Sequence, residues 1–185
     1  MADDRLKDAK RRMEGAVKAL ASEYQTVRTG RASTGLLDRV TVEAYGTRTP
    51  LNQLATINAP EPRLLTVQPY DRSIMSSIEK AIMESDLGLT PNNDGQLIRL
   101  PVPQLTEERR KEMVRLVHKM AEEARVAVRN VRRDVINDMK RAEKDGEMSR
   151  DELARAQDEV QKLTDAEVKS IDDLMARKEA EILEV

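Results

Sequence analysis

The chain has 185 residues, enough for one or two small domains with a modest core. It contains no cysteine, which excludes disulfides, thiolate catalysis and cysteine-ligated metal sites. Charged residues make up 36% of the chain while Phe and Trp are absent, so the core must be aliphatic, and long helices are favoured over a sheet sandwich. The formal net charge of −2 neither favours nor excludes a polyanionic partner, and the distribution of charge matters more.

Nothing in the sequence indicates export or membrane insertion. No apolar run approaches the roughly 18 residues of a membrane span. The acidic start of the chain, with Asp3 and Asp4, is unlike the basic start of a signal peptide. We therefore expect a cytoplasmic protein that does not enter a membrane.

The first predicted element is one long amphipathic helix over residues 3–27. Its apolar residues recur every three or four positions, the spacing that aligns side chains on one helical face. They are Leu6, Ala9, Met13, Val17, Leu20, Tyr24 and Val27. Gly30 interrupts the pattern, and we expect the helix to end there on a left-handed residue.

Residues 31–103 have a different sequence pattern, in which turn residues are frequent and apolar residues recur at shorter spacings than in a helix. Residues 39–45 alternate as a strand, and residues 51–57 and 63–67 indicate further short strands. Asp71 can cap a helix that follows it. The Asn-Asp-Gly turn at 93–95 leads into another strand. This stretch predicts a small α/β domain.

Two more long helices are predicted after this domain. Thr106 can cap the first of them, which then runs for nearly forty residues without Gly or Pro and ends at Gly146. Its predicted apolar stripe consists of Met113, Leu116, Val117, Met120, Ala124, Ala127, Val131, Val135, Met139 and Ala142. A capping box at Ser149 and Glu152 starts the last helix.

The fold class expected is α+β with two domains. The three amphipathic helices must cover one another's stripes, which predicts an elongated antiparallel three-helix bundle from residues 1–30 and 104–185. Residues 31–103 form an inserted small α/β domain, a β/α/β sandwich, on a two-stranded hinge. The predicted hinge residues are Thr29, Gly30, Arg31, Ala32, Ser33, Pro101, Val102, Pro103 and Gln104.

Residues that could carry catalysis are scarce. His118 is the only histidine, so neither a catalytic triad nor a multi-histidine metal site can form, and its simplest role is a solvated or RNA-facing side chain. There is no phosphate-binding glycine loop, and neighbouring carboxylates such as Asp172 and Asp173 splay apart on a helix. The sequence predicts a protein that is not an enzyme and uses neither metal nor cofactor.

Charge is divided unequally between the last two helices. Residues 104–144 hold 12 Lys/Arg against 8 Asp/Glu, whereas residues 145–185 hold 6 against 13. Arginines cluster on the first of these helices: Arg109, Arg110, Arg115, Arg125, Arg129, Arg132 and Arg133. Because arginine binds phosphate in a bidentate manner, these residues indicate a ridge that follows a nucleic-acid backbone. Ion pairs with the acidic last helix explain the same spacing equally well, and both alternatives remain open.

The near absence of aromatic rings disfavours stacking on single-stranded bases, so structured RNA recognised by its shape is the more suitable partner. Two other function classes fit the sequence less well. A coiled-coil scaffold would give no reason for the inserted domain. A nuclease or NTPase would need a phosphate loop or carboxylates that converge on a metal.

Short motifs distributed over the whole chain resemble those of the bacterial ribosome recycling factor family. They are VRTGRAS at 27–33, PLNQLA at 50–55, PYD at 69–71, NDG at 93–95 with IRLP at 98–101, LTEERR at 105–110, and VRNVRRD at 128–134. The resemblance implies a factor that, with elongation factor G and GTP hydrolysed by that partner, splits post-termination ribosomes into subunits and releases them from mRNA. It implies no enzymatic activity of the factor itself, and a monomer is expected.

The resemblance also implies where this protein binds. The helical domain is expected to lie along large-subunit ribosomal RNA, and the smaller domain to be moved by the elongation factor. The residues implied as principal RNA contacts are Arg28, Arg31, Arg110, Arg129 and Arg132, and Arg125 and Arg133 on the same helix complete the predicted RNA-binding set.

Overall fold

The structure of the protein, a computed structural model, describes residues 2–27 and 29–184. These residues form four α-helices: α1 (Ala2–Gln25), α2 (Met75–Glu84), α3 (Glu107–Lys144) and α4 (Arg150–Leu183). They also form six strands: β1 (Thr41–Ala44), β2 (Thr47–Pro50), β3 (Ala55–Glu61), β4 (Leu64–Pro69), β5 (Asn92–Asn93) and β6 (Ile98–Pro101). The chain divides into two compact units. We call Met1–Tyr24 with Val114–Ala180 the helical unit, and Gln25–Met113 with Glu181–Val185 the sheet unit.

Hydrogen bonds between helices show how the helical unit is arranged. The Tyr24 hydroxyl donates to the Val117 carbonyl at 2.7 Å, while Arg12, earlier on α1, donates to Asp134, later on α3, at 3.1 Å. Position falls along one helix as it rises along the other, so α1 and α3 are antiparallel. His118 with Glu179 and Arg125 with Asp172 relate α3 and α4 in the same way. The predicted antiparallel three-helix arrangement is confirmed.

The buried stripe of α3 differs in detail from the predicted one. Its buried residues recur in steps of three or four and are Val117, Ala121, Ala124, Val128, Val131, Val135, Met139 and Ala142. Ala121 and Val128 take the places predicted for Met120 and Ala127, and Leu116 is exposed. The error has a simple cause, since adjacent apolar residues on a helix offer two stripes of almost equal quality.

Local capping determines where the long helices begin and end. Gly146 has a φ of 79°, and Glu147 N–H donates to the Ala142 carbonyl at 2.9 Å, which closes the end of α3. At the start of α4, Glu152 N–H donates to Ser149 Oγ at 3.1 Å and the Glu152 carboxylate accepts from Ser149 N–H at 2.8 Å. The predicted capping box is therefore present.

The end of α1 was predicted wrongly. The helix stops at Gln25, two residues before the predicted end, and the left-handed Gly30 (φ 79°) lies in the segment that follows. An apolar Val27 continued the sequence pattern, although its side chain is buried outside the helix.

The sheet unit contains a β1–β2 hairpin and an antiparallel four-stranded sheet in the order β3-β4-β6-β5. The buried core lies between Leu36 and Val102, and includes Leu51, Leu65 and Leu100, which have no exposed surface. Helix α2 places Ile78 and Ile82 in this core. A small α/β domain was expected and is observed.

The predicted starts of one strand and one helix need adjustment. Leu51–Gln53 form a 3-10 turn before β3 begins at Ala55. Asp71 caps a short 3-10 turn before α2, and its carboxylate accepts from Ser73 N–H at 2.9 Å.

The two segments that flank the sheet core are attached to one turn. Ala32 N–H donates to the Pro62 carbonyl at 2.7 Å, and Val102 N–H donates to the adjacent Arg63 carbonyl at 2.9 Å. Pro101 is the last residue of β6, and Val102 is buried in the core. The β3–β4 turn therefore anchors both ends of this core.

Candidate nucleic-acid interface

The predicted arginines of α3 leave the helix on the sides that its buried stripe does not use. Within the helical unit these are Arg125, Arg129, Arg132 and Arg133. Val128, Val131 and Val135 fill the core side of the same turns. The four guanidinium groups nevertheless have very different surroundings.

Arg125 is held by carboxylates of its own unit. Its guanidinium donates to Asp172 of α4 at 2.6 and 2.9 Å and to Glu122 at 3.0 Å, and the side chain is only 16% exposed. The bond to Asp172 is the main cause that raises the pKa of Arg125 above its ordinary value. The alternative of an ion pair with α4 is realised at this residue.

Arg129 and Arg133 are open to solvent. The Arg129 side chain is 50% exposed, and its guanidinium donates to Glu122 at 3.3 Å, a longer hydrogen bond than those that Arg125 makes. Within residues 2–27 and 29–184, Arg133 has neither an ion pair nor a hydrogen bond to its side chain. Both can reach an external anion without breaking a strong internal bond.

Arg132 is half-buried and incompletely satisfied. Its Nη1 donates to the Gln161 side chain at 3.2 Å, while its Nε is buried and has no hydrogen-bond partner among the described residues. A buried unpaired donor of a cation is costly, and an incoming acceptor would relieve that cost.

Arg132 and Arg133 open onto a cleft between α3 and α4. The cleft has a volume of about 500 Å³. Its lining residues are Arg132, Arg133, Ile136, Asn137, Lys140, Gln157, Asp158 and Gln161. Three cations face a single carboxylate there, and amide side chains add neutral donors. This set of groups, which we call the arginine cleft, suits phosphate oxygens on a backbone.

Of the eight residues that line this cleft, the sequence predicted only Arg132 and Arg133. Lys140 lies seven and eight residues after Arg133 and Arg132, so helical spacing could have found it. Gln157 and Gln161 come from α4, and their placement depends on the register between two helices. That register is set by packing, which no local motif records.

The remaining predicted cations belong to the sheet unit or lie outside the described residues. Arg31 is half-exposed and pairs with Glu184 at 2.9 Å. Arg110 is half-buried in the first turn of α3, where its N–H donates to the Thr106 carbonyl at 2.9 Å. Arg28 lies outside the described residues.

Some predicted hinge residues are firmly placed. Thr29 is buried, and its hydroxyl accepts from Arg31 N–H at 3.4 Å. Ser33 caps a 3-10 turn by accepting from Gly35 N–H at 3.3 Å. Pro103 and Gln104 are exposed and belong to neither β6 nor α3.

Neither a metal cluster nor a membrane span is found among the described residues. No group of three or more His, Cys, Asp or Glu side chains in residues 2–27 and 29–184 could hold a metal ion. His118 instead lies 2.8 Å from Glu179. No helix in the part of the chain that the structure describes is both long and apolar enough to cross a bilayer.

Comparison with known proteins gives a consistent result over the full length. A family model described as "Ribosome recycling factor" matches residues 20–183. The ribosome-recycling factor of Rubrobacter xylanophilus is 59% identical over 180 residues, covering 97% of each chain. That of Carboxydothermus hydrogenoformans is 55% identical over 185 residues, covering 100% of each chain.

Solved structures agree with the sequence relatives. One, titled as the solution structure of the ribosome recycling factor, has a TM-score of 0.79 and 44% identity, and the match covers 100% of this chain and 98% of that one. A second has a TM-score of 0.70 and 44% identity over 99% of each chain. Its title describes the T. thermophilus ribosome recycling factor and the E. coli elongation factor G bound to the E. coli post-termination complex. The motifs, the two-unit fold and these matches together establish that the chain belongs to the ribosome recycling factor family.

Proposed function

We propose that this protein recycles ribosomes: with elongation factor G and GTP, it dissociates post-termination complexes into subunits and frees them from mRNA. The observation that carries the proposal is the full-length match to ribosome-recycling factors, two of which are 59% and 55% identical to this chain. GTP is hydrolysed by the elongation factor. The chain itself acts as a monomer in the cytoplasm, without cofactor or catalysis.

The arginine cleft supplies the anchor in this proposal. Arg132, Arg133 and Lys140 surround a cleft with one acid, and Arg132 Nε lacks an acceptor among the described residues. Large-subunit ribosomal RNA offers the phosphate oxygens that these groups lack. Arg129 is a further proposed RNA contact of the helical unit. Arg28, Arg31 and Arg110 stay proposed RNA contacts on the strength of the family resemblance, whereas Arg125 contributes chiefly by holding α3 to α4.

Splitting of the ribosome would then depend on the sheet unit. The proposed functional domains are residues 1–30 with 104–185, which would bind RNA, and residues 31–103, which the elongation factor would move. The hinge is proposed at Thr29 to Ser33 and Pro101 to Gln104. In the second of these two segments, Pro101 ends β6 and Val102 is buried in the sheet core. Most of the bending in that segment would therefore fall on Pro103 and Gln104.

The anchor is tested by binding to isolated large subunits across a salt titration. Arg132→Ala with Arg133→Ala should weaken binding at least tenfold and reduce the slope of log K against log salt by about one for each phosphate that the variant no longer neutralises. Arg141→Ala is the matched control, because it removes an exposed arginine of the same helix that does not line the cleft.

Wild-type affinity and an unchanged salt slope in the double variant would contradict the RNA anchor. The recycling activity is tested separately, by light scattering of post-termination ribosomes with elongation factor G and GTP. Dissociation should require both proteins, and its absence with both present would refute the proposed function.

A further inference from the structure

Two of the three tyrosines of this chain are exposed on the sheet unit. The side chains of Tyr45 and Tyr70 are 69% and 70% exposed, whereas Tyr24 is buried. The sequence contains no Phe and no Trp, so an excess of aromatic residues does not explain why two of the three tyrosines are exposed. Exposed tyrosines are enriched at protein interfaces, where they are frequent binding hot spots.

Tyr45 adopts a backbone conformation that bulky residues avoid. It is the first of two residues in the β1–β2 loop, and both it and Gly46 are left-handed, with φ of 53° and 77°. Asn, Asp or Gly normally occupy this position, and an ordinary side chain costs about 1–2 kcal/mol there. Burial of the ring does not offset that cost, because most of the ring faces solvent.

The Tyr45 side chain is bonded to Asp71, the residue that follows Tyr70. The Tyr45 hydroxyl donates to Asp71 Oδ2, and Asp71 Oδ1 accepts from Ser73 N–H at 2.9 Å. Tyr70, the residue before Asp71, donates its N–H to the Leu54 carbonyl at 3.0 Å. We call Tyr45, Tyr70 and Asp71 the tyrosine patch. The bond between Tyr45 and Asp71 holds these two side chains before any partner arrives, which lowers the entropic cost of binding.

The charge of the surrounding domain indicates a protein partner. Residues 31–103 contain seven Lys/Arg and eight Asp/Glu, so this domain has no excess of positive charge for RNA phosphates. The hydrogen bond from Tyr45 lowers the pKa of Asp71, which therefore stays ionised at neutral pH. Two rings beside a carboxylate suit a protein cleft with an apolar floor and a Lys, Arg or amide donor.

We propose that the tyrosine patch is the surface through which the sheet unit contacts elongation factor G. This inference rests on the proposed function, which supplies the protein partner. In this proposal the arginine cleft binds ribosomal RNA, and the tyrosine patch binds the elongation factor that moves the sheet unit.

The test is a titration of elongation factor G in the splitting assay. Post-termination ribosomes and a saturating amount of the full-length factor are held constant, with GTP in excess. Tyr70→Ala should raise the half-saturating concentration of elongation factor G about tenfold. Binding to ribosomes without elongation factor G should stay within about twofold of wild type. Tyr45→Phe keeps the ring but loses the bond to Asp71, and should show a smaller rise.

Met83→Ala is the matched control. Met83 is 61% exposed on α2 of the same unit and lies outside the patch. The half-saturating concentration of elongation factor G measured with this variant should match that of the wild type. Thermal denaturation checks that each variant is folded. If Tyr70→Ala lowers the melting temperature, Tyr70→Gln, which retains a longer side chain, repeats the titration.

Each result is decisive. An unchanged half-saturating concentration in the Tyr70 variant overturns the inference. Weakened binding to ribosomes in the absence of elongation factor G also overturns it, because the patch would then contact the ribosome. If wild-type protein does not split ribosomes, the proposed function fails, and that result is independent of the variants.

Discussion

At the scale of single residues, neighbouring arginines of one helix divide into those that hold the fold and those that face outward. Arg125 is surrounded by Asp172 and Glu122, while Arg133, two turns later, has no partner for its side chain among the described residues. The grouping of arginines on α3 is visible in the sequence, but this division is not. The acids that decide it belong partly to α4, and only the packed register brings them to Arg125.

We expect Arg125→Ala to destabilise the protein by about 1–3 kcal/mol, because it breaks charge-assisted bonds of a mostly buried side chain. Arg133→Ala should change the free energy of unfolding by less than about 0.5 kcal/mol, since it removes only a solvated group. Urea denaturation of both variants measures the difference. Equal losses of stability would show that the two arginines have the same structural role.

Tyr24 gives a prediction with a pH dependence. Burial raises its pKa to about 12, an effect that Arg125 partly offsets, and its hydroxyl bonds the Val117 carbonyl. Tyr24→Phe should cost about 1 kcal/mol at neutral pH. The folded pKa lies above the unfolded value of 10, so the stability contributed by the neutral phenol is complete below pH 10 and is lost as pH rises toward 12.

The gap in unfolding free energy between wild type and Tyr24→Phe should therefore narrow as the pH rises from about 10 toward about 12. Urea denaturation at several pH values follows it. A gap that stays constant over this range would mean that Tyr24 ionises equally easily in the folded and unfolded chain.

At the scale of elements, the helix limits were predicted well wherever a specific cap exists. Thr106, Gly146 and the Ser149–Glu152 box each act through their own backbone or side-chain bonds, so local sequence is sufficient. The end of α1 has no such signal at Gln25, and the apolar Val27 extended the prediction too far. Strands were placed correctly where alternation was clear, and less well at Leu51, where a 3-10 turn precedes the strand.

Two glycines in helical and capping positions should respond oppositely to alanine. Gly15 lies inside α1, and a Cβ there would meet nothing within 4 Å, so Gly15→Ala should stabilise the protein by up to about 1 kcal/mol. Gly146 has a φ of 79° at the end of α3, so Gly146→Ala should destabilise it by about 1 kcal/mol. Thermal denaturation of both variants compares them, and a loss of stability in Gly15→Ala would indicate that α1 needs the glycine for close packing.

At the scale of the whole molecule, the alternation of long helices with a turn-rich insert was sufficient to predict two structural units. The arginine cleft could be predicted only in part, because α4 contributes Gln157 and Gln161 through the register of the bundle. The tyrosine patch could not be predicted at all. Tyr45 and Asp71 are far apart in the sequence and meet only because the hairpin brings the tyrosine to the carboxylate.

The proposed hinge predicts a separation of binding from splitting. Gly30 is left-handed with a φ of 79°, so Gly30→Ala should strain this segment while leaving the arginine cleft intact. We expect normal binding to ribosomes and a splitting rate reduced several-fold in light scattering. Gly88→Ala is the control, because it strains another left-handed glycine (φ 65°) outside the proposed hinge. Equal defects in both variants would argue against a specific role for Gly30.

The discontinuous helical unit also has a consequence for biosynthesis. Its first helix is translated before the sheet unit, and its other two helices after it. Because synthesis proceeds at about 5–20 residues per second, several seconds pass between the synthesis of α1 and that of the helices that cover its Met13 and Leu20. The sheet core between Leu36 and Val102 is continuous in sequence and can close during that interval. A nascent chain of this protein would therefore complete its inserted part first, and the helical unit would be completed last, once α4 has been synthesised.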